Sequence, residues 1–258
     1  MINLIICGAA GRMGQAICEA VKDTKDFAIS AAVESHGHPL VGKPLGDRLP
    51  NVFDDLLLVL QSGDVVIEFS TPEATAANAT KAAIMKKPMV IGTTGLDQKH
   101  QEMFAEMARE IPLVVSSNMS IGVNLLYKLT YAAAKKLPRT FDVEIVEAHH
   151  KHKKDAPSGT AVKILEEVQK TRGGEAVFMR HGTEQLRQQG EIGVYSVRGG
   201  DIVGDHSVLF AGPGELLELV HRAQSRRVFA EGALLAAKFI VKSKPGLYDM
   251  QDVLGLKG

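Results

Sequence analysis

Cysteine occurs only twice in the chain, at Cys7 and Cys18. One lies in a predicted strand and the other in a predicted helix, which excludes a disulfide framework. Both read as small core residues and suit a reducing, cytoplasmic compartment. Neither sign of charge is in excess, because 30 Lys and Arg offset 30 Asp and Glu. No overall field therefore draws the chain to nucleic acid or to an anionic membrane, and any attraction for an acidic ligand has to be local. Apolar runs are short, and none approaches the roughly 20 residues of a membrane-spanning helix. The run at 2–7 has no basic segment before it and passes directly into glycines, so it reads as a core strand and not as a signal peptide. Internal repeats and low-complexity stretches are lacking too. A Gly-Lys-Ser or Gly-Lys-Thr phosphate loop is missing, since Gly11 is followed by Arg12 and Met13, and this argues against an ATPase.

What is present is a chain of 258 residues, enough to bury a full core in one large domain or two modest ones. As far as about residue 118, β-rich runs at 2–7, 27–33, 65–69, 89–91 and 113–115 alternate with helical patterns at 13–22, 72–85 and 98–109 and a weaker one near 54–60. Such alternation predicts a Rossmann-type α/β domain, a parallel sheet covered by helices on both faces. After residue 120 the pattern changes. A helix near 122–136, a strand at 141–148 and a helix at 158–170 precede strands near 176–179, 192–198, 202–210 and 216–223. Some of these strands are separated only by glycine turns, which predicts antiparallel pairing in an open α+β sheet. The helical pattern at 228–241 is expected to return to the first domain. The division is thus 1–120 plus 226–258 for one domain and 121–225 for the other. The Gln-rich piece at 184–189 reads as a surface loop.

The segment Gly8-Ala9-Ala10-Gly11-Arg12-Met13-Gly14 joins the first strand to the first helix, and Glu34 ends the second strand twenty residues past Gly14. Strand, glycine turn, helix and acid stand in dinucleotide-binding order. The glycines permit a tight turn and a close backbone approach to a pyrophosphate, the helix start favours its charge, and the carboxylate can accept hydrogen bonds from ribose hydroxyls. Ligands of such sheets lie beyond the carboxyl ends of the strands. There the sequence places Phe69-Ser70-Thr71-Pro72, Gly92-Thr93-Thr94-Gly95 and Ser116-Ser117-Asn118-Met119. Their small and hydroxyl-bearing residues suit contact with a flat ring, although the same residue types favour ordinary turns.

The densest chemical signal is Glu147-Ala148-His149-His150-Lys151-His152-Lys153-Lys154-Asp155-Ala156-Pro157-Ser158-Gly159-Thr160. Three histidines and three lysines fall between a strand and a helix. Ser158 can cap that helix while its first-turn N–H groups serve an anion. A carboxylate-bearing substrate would find charge, donors and proton-transfer groups together. Nucleic acid is disfavoured by the lack of interleaved aromatic residues. Zinc is disfavoured because no cysteine lies nearby and the histidines lack the i, i+4 helical spacing.

These motifs, with Ser117-Asn118, Gly122-Val123-Asn124, the stretch from Val197 to His206 and His221-Arg222-Ala223, make the chain resemble the dihydrodipicolinate reductase family, also called 4-hydroxy-tetrahydrodipicolinate reductase, from end to end. The resemblance implies a homotetrameric, cytoplasmic, two-domain enzyme of bacterial diaminopimelate and lysine biosynthesis. It would reduce a cyclic dicarboxylate, 4-hydroxy-tetrahydrodipicolinate, to tetrahydrodipicolinate with NADH or NADPH. It implies a dinucleotide-binding first domain and a second domain for substrate binding and oligomerisation. By position, His149 is the proton donor or acceptor, Lys153 the proton donor, and His150, Ser158, Gly159 and Thr160 hold substrate. The cofactor contacts are Gly8, Ala9, Ala10, Gly11, Arg12, Met13, Glu34, Gly92, Thr93, Thr94, Ser116, Ser117, Asn118 and Met119. No metal and no membrane are involved. Glu34 followed by Ser35, where many relatives carry Arg, favours the free 2′-hydroxyl of NADH over the phosphate of NADPH, with Arg12, His36 and His38 as the residues left to meet a phosphate. Arg198 and Arg222 are candidates to support the substrate. A non-catalytic dinucleotide-sensing module would have no use for His149, Lys153 and the helix start together, and another amino-acid-pathway dehydrogenase would explain only the first domain.

Overall fold

The computed structural model describes residues 1–183 and 186–257. Glu184 and Gln185, in the Gln-rich piece expected as a surface loop, lie outside the described residues, as does Gly258. The elements run β1 (Ile2–Cys7), α1 (Arg12–Lys22), β2 (Phe27–Val33), β3 (Val52–Phe53), β4 (Val65–Glu68), α2 (Pro72–Ile84), β5 (Met89–Ile91), α3 (Gln98–Met107) and β6 (Pro112–Val115). They continue with α4 (Ile121–Lys136), β7 (Asp142–His149), α5 (Gly159–Arg172), β8 (Ala176–Val177), β9 (Ile192–Arg198), β10 (Gly204–Gly212), β11 (Glu215–Ala223), α6 (Arg227–Ile240), β12 (Gly246–Tyr248) and α7 (Met250–Val253). The chain divides into two compact units, Met1–Ile121 with Arg226–Gly258, and Gly122–Ser225. Among the described residues no helix is long and apolar enough to cross a membrane.

The first unit is built on a seven-stranded sheet in the order β12-β6-β5-β4-β1-β2-β3, with every pairing parallel. β1 reads as a continuous apolar run because both of its faces are covered. Leu4 and Ile6 join α1 and α6 in one core, whereas Ile5 and Cys7 join Val66, Met89 and Phe104 in the other. The alanines of α6 at 230, 233, 236 and 237 are all buried, and small side chains of this kind let a helix lie close to its neighbours. Two strands were too short to show in the sequence, β3 and β12. The weak helical pattern near 54–60 is in fact two 3-10 turns, Leu56–Leu58 and Leu60–Ser62. Asp55 caps the first through Leu57 N–H, and glycine at 63 ends the second, so neither has room to become an α-helix.

The strand order reverses at β1, with β2 on one side and β4 on the other. This switch opens a crevice beyond the carboxyl ends of β1 and β4, the usual place for a ligand in such sheets.

The second unit carries a five-stranded sheet in the order β11-β10-β7-β9-β8. Alternation along β7 sends Val143, Ile145, Glu147 and His149 inward, where the upper residues pack with α4 and α5. The expectation of antiparallel pairing holds for β10 with β7 and with β11 but fails for β9, which lies parallel to β7 and to β8. The glycines at 199 and 200 do not close a hairpin. They carry the chain across the end of β7, with Gly199 N–H donating to the His149 carbonyl at 3.0 Å, so that β10 pairs on the far side of β7.

Candidate active site

In the first unit the glycine turn is held by steric necessity at two points. Gly8 has φ +71°, and a Cβ there would stand 2.6 Å from the Phe69 carbonyl oxygen. A Cβ on Gly14 would come within 2.4 Å of the Gly8 oxygen and 2.5 Å of the Ala9 backbone, so α1 can start against the turn only with glycine there. Gly11, at the N-cap of α1, supplies no side-chain cap, which leaves the helix start able to receive an anion. Register places Val33 beside Cys7, and the next residue, Glu34, accepts the Ala10 N–H on Oε1 at 2.7 Å. The carboxylate therefore sits at the glycine turn, with Oε2 remaining for a sugar hydroxyl. A cradle that a Cβ would fill, an uncapped helix start and an adjacent acid together fit a dinucleotide.

The other candidate cofactor residues fall at the same end of the sheet but differ in what they offer. Thr93 is buried and its hydroxyl meets that of Thr75 at 2.7 Å, while Met119 packs into the core. Ala9 is likewise buried. These residues can present backbone but not side chain. Thr94 and Ser117 are exposed. Ser116 donates its hydroxyl to the Asn118 carbonyl at 2.8 Å, and Asn118 Oδ1 accepts Ser120 N–H at 2.9 Å, a self-bonded turn that fixes the loop after β6. His36, one of the residues considered for a phosphate, is engaged with Asp54 at 2.7 Å.

A buried carboxyl that the motifs did not point to lies beneath this end of the sheet. Glu68 accepts Ser70 N–H at 2.9 Å and the Asn78 amide at 2.8 Å. Burial pushes its carboxyl above the ordinary value, against those hydrogen bonds.

The second unit sets His149 and Ser158, from the two ends of the basic stretch, against another buried acid, Glu147, which is fully shielded from solvent. Its Oε2 lies 2.6 Å from His149 Nδ1, and its Oε1 accepts Ser158 N–H at 3.1 Å. Arg198 grips both oxygens, at 2.7 and 2.8 Å. Burial alone would raise this carboxyl, but hydrogen bonds from Arg198, Ser196 and His149 outweigh it and hold the value at about 2. The His149 ring is pulled below its ordinary value by burial, with Glu147 opposing and Lys153 and Arg198 adding to the depression. A neutral ring bonded this way donates Nδ1–H to the carboxylate, which leaves the Nε2 lone pair for chemistry. Nε2 looks past Gly204, where a Cβ would come within 3.0 Å.

Lys153 is paired with Asp155 at 2.8 Å. Ser158 caps α5, its Oγ accepting Ala161 N–H at 3.2 Å, and stands 3.1 Å from His206 Nε2. Burial holds His206 down at about 3, so it is neutral. Its ring meets that of His149 edge-on, with centroids 5.1 Å apart. Thr160 bonds to Tyr127, whose phenol burial pushes up to about 12. The His150 ring centroid lies 6.4 Å from that of His152. Arg222 is exposed and 3.7 Å from Asp205. Among the described residues no three His, Cys, Asp or Glu side chains converge as a metal would require.

The sequence motifs assign no role to Glu147 or His206. The signal for Glu147 was its i, i+2 spacing from His149 on a strand, which puts both on one face. His206 joins them only through the β10–β7 register, which sets it opposite Glu147.

The family model described as "Dihydrodipicolinate reductase, N-terminus" matches residues 2–119, and "Dihydrodipicolinate reductase, C-terminus" matches 122–254. The 4-hydroxy-tetrahydrodipicolinate reductase of Geotalea uraniireducens is 46% identical, with all of both chains covered. That of Nitrosospira multiformis is 44% identical over 99% of this chain and 98% of the relative. A dipicolinate-bound dihydrodipicolinate reductase from Paenisporosarcina superposes with a TM-score of 0.79 at 27% identity, covering 98% of each chain. Aspartate semialdehyde dehydrogenase II of Vibrio cholerae, at 13% identity and TM-score 0.58 over 94% of this chain and 99% of its own, shares the fold alone. With both halves matched and full-length relatives this similar, the chain belongs to the dihydrodipicolinate reductase family.

Proposed function

We propose that His149 accepts or donates a proton and Lys153 donates one in the reduction this family performs, with His150, Ser158, Gly159 and Thr160 holding the dicarboxylate. Family membership makes the chain an NAD(P)H-dependent oxidoreductase of lysine and diaminopimelate biosynthesis, reducing 4-hydroxy-tetrahydrodipicolinate to tetrahydrodipicolinate. The observation that carries the residue assignment is the 2.6 Å bond between Glu147 and His149 Nδ1, which sets the imidazole's tautomer in a shielded site. The start of α5 favours a substrate carboxylate through its aligned N–H groups. The Lys153 ammonium has an exposed carboxylate, Asp155, as its present partner, and a substrate carboxylate can take that place. Reduction of a conjugated carbon–nitrogen system leaves electron density on the ring that a nearby cation and proton donor must accept.

When bound, NAD(P)H supplies the hydride. The residues that would hold it are Gly8, Ala9, Ala10, Gly11, Arg12 and Met13 at the pyrophosphate, Glu34 at the ribose, and Gly92, Thr93, Thr94, Ser116, Ser117, Asn118 and Met119 at the strand ends. We take NADH as the preferred form. Glu34 repels a 2′-phosphate, Ser35 offers it no charge, and His36 is occupied by Asp54, which leaves Arg12 and His38. A cytoplasmic setting accords with two buried free thiols. A homotetramer accords with the outward face of the second sheet, where Val197, Leu216 and Val220 are exposed; light scattering after gel filtration reads the copy number directly.

The test follows NADH absorbance with and without 4-hydroxy-tetrahydrodipicolinate. Wild-type protein oxidises NADH only with substrate, and His149→Ala lowers kcat by about 10²–10⁴-fold. Full kcat in folded His149→Ala would refute the assignment.

A further inference from the structure

We propose that Arg198 is a positioning residue for both proton-transfer groups at once, orienting His149 through the Glu147 carboxylate and the loop that carries Lys153 through the Asp155 backbone carbonyl. The proposal rests on the reading of His149 and Lys153 given above. All four terminal N–H bonds of the guanidinium are committed within the protein. Nη1 donates to Glu147 Oε2 at 2.8 Å and to the Val197 carbonyl at 2.7 Å. Nη2 donates to Glu147 Oε1 at 2.7 Å and to the Asp155 carbonyl at 2.6 Å. With those four N–H groups engaged, Arg198 acts on the reaction through the groups it holds. Only a planar fork can hold both carboxylate oxygens and a loop carbonyl together; an ammonium is a single point of charge.

Register makes this possible. In the parallel pairing of β7 with β9, Arg198 stands opposite His149, so both side chains share the inward face with Glu147 two residues earlier. A slip of one residue would turn Arg198 to the other face. The chain beyond β9 is tied back as well, through Gly199 N–H on the His149 carbonyl and Lys151 N–H on the Gly200 carbonyl at 3.2 Å. One arginine thus fixes the plane of the imidazole and the backbone of the loop that carries Lys153.

An arginine that only held the fold together, out of electrostatic reach of His149, would leave the titration of that ring unmoved. The charged and titratable groups facing His149 are Glu147 on its own strand, Arg198 on β9, His206 on β10, and Lys153 with Asp155 on the loop. Arg198 lowers the imidazole's value and Glu147 raises it. Removing the cation should therefore move the His149 titration upward, and removing the carboxylate should move it downward. ¹⁵N-histidine NMR on the full-length protein reads this without turnover. Arg198→Met is expected to shift His149 up and Glu147→Gln to shift it down. In steady-state kinetics Arg198→Met should lose about 10²-fold in kcat, the scale of a misplacement of about 1 Å, with KM for NADH unchanged. Arg198→Lys should recover only part of that loss. Wild-type kcat in Arg198→Met, or shifts of the same sign in the two variants, would overturn the proposal. Should Arg198→Met not fold, wild-type kcat in Arg198→Lys would overturn it equally. The titration tests Arg198, whereas the activity of His149→Ala tests the reading beneath it, so the two can fail separately.

Discussion

Replacing Glu147 by Gln keeps the shape of the buried side chain and removes its charge. In the folded protein this carboxyl is held at about 2, against an ordinary 4.5, a difference of roughly 3 kcal/mol by linkage. An independent figure comes from the pair itself: breaking a buried ion pair by removing one partner costs about 3–5 kcal/mol, because the Arg198 charge is left uncompensated. The two figures meet near 3 kcal/mol at pH 7. A depressed carboxyl stabilises the fold above its unfolded value and loses that contribution as pH falls toward its folded value. The gap between wild type and Glu147→Gln should therefore be complete above about pH 5.5 and shrink to about 1.5 kcal/mol at pH 3. The chain has no tryptophan and four tyrosines, three of which, Tyr127, Tyr131 and Tyr195, lie in the second unit. Urea unfolding followed by tyrosine emission therefore reports chiefly on the unit that holds Glu147. A gap that stays constant from pH 7 to pH 3, or a variant as stable as wild type, would refute the reasoning.

Three further outcomes follow from the same geometry. Gly14→Ala drives a Cβ into the Gly8 and Ala9 backbone and should cost at least about 1–3 kcal/mol; thermal unfolding and NADH titration should both record it. Ser35→Arg places a cation beside Glu34 and should raise kcat/KM with NADPH relative to NADH, a ratio measured by initial rates; no change would separate cofactor choice from this position. Ser158→Ala removes the α5 cap, worth about 1 kcal/mol, together with the partner of His206. It should raise KM for the dicarboxylate more than it lowers kcat.

The fold was largely legible because its signals are local. Continuous apolar strands, helical periodicity, and glycines before α1 followed by an acid after β2 each act over a few residues, and they specify a parallel sheet with its crevice at Gly8. The elements that escaped are those with too few residues to show a period, β3, β12 and α7, while the weak pattern near 54–60 proved to be two 3-10 turns and not an α-helix. The place of β9 escaped for a different reason, since a glycine turn is compatible with a hairpin or a crossover and only pairing to β7 distinguishes them.

The candidate site divides in the same way. Sequence alone determined that His149, Lys153 and Ser158 lie on one strand–loop–helix passage, because chain connectivity puts them there. It could not determine that Arg198 and His206, 49 and 57 positions beyond His149, complete the surroundings of Glu147. Those side chains arrive by strand register, and register is set by which apolar faces must be buried across the whole sheet. Tertiary structure therefore decided the protonation state of Glu147, the tautomer of His149 and the commitment of Arg198, since burial and charge pairing exist only once the sheet has closed around them.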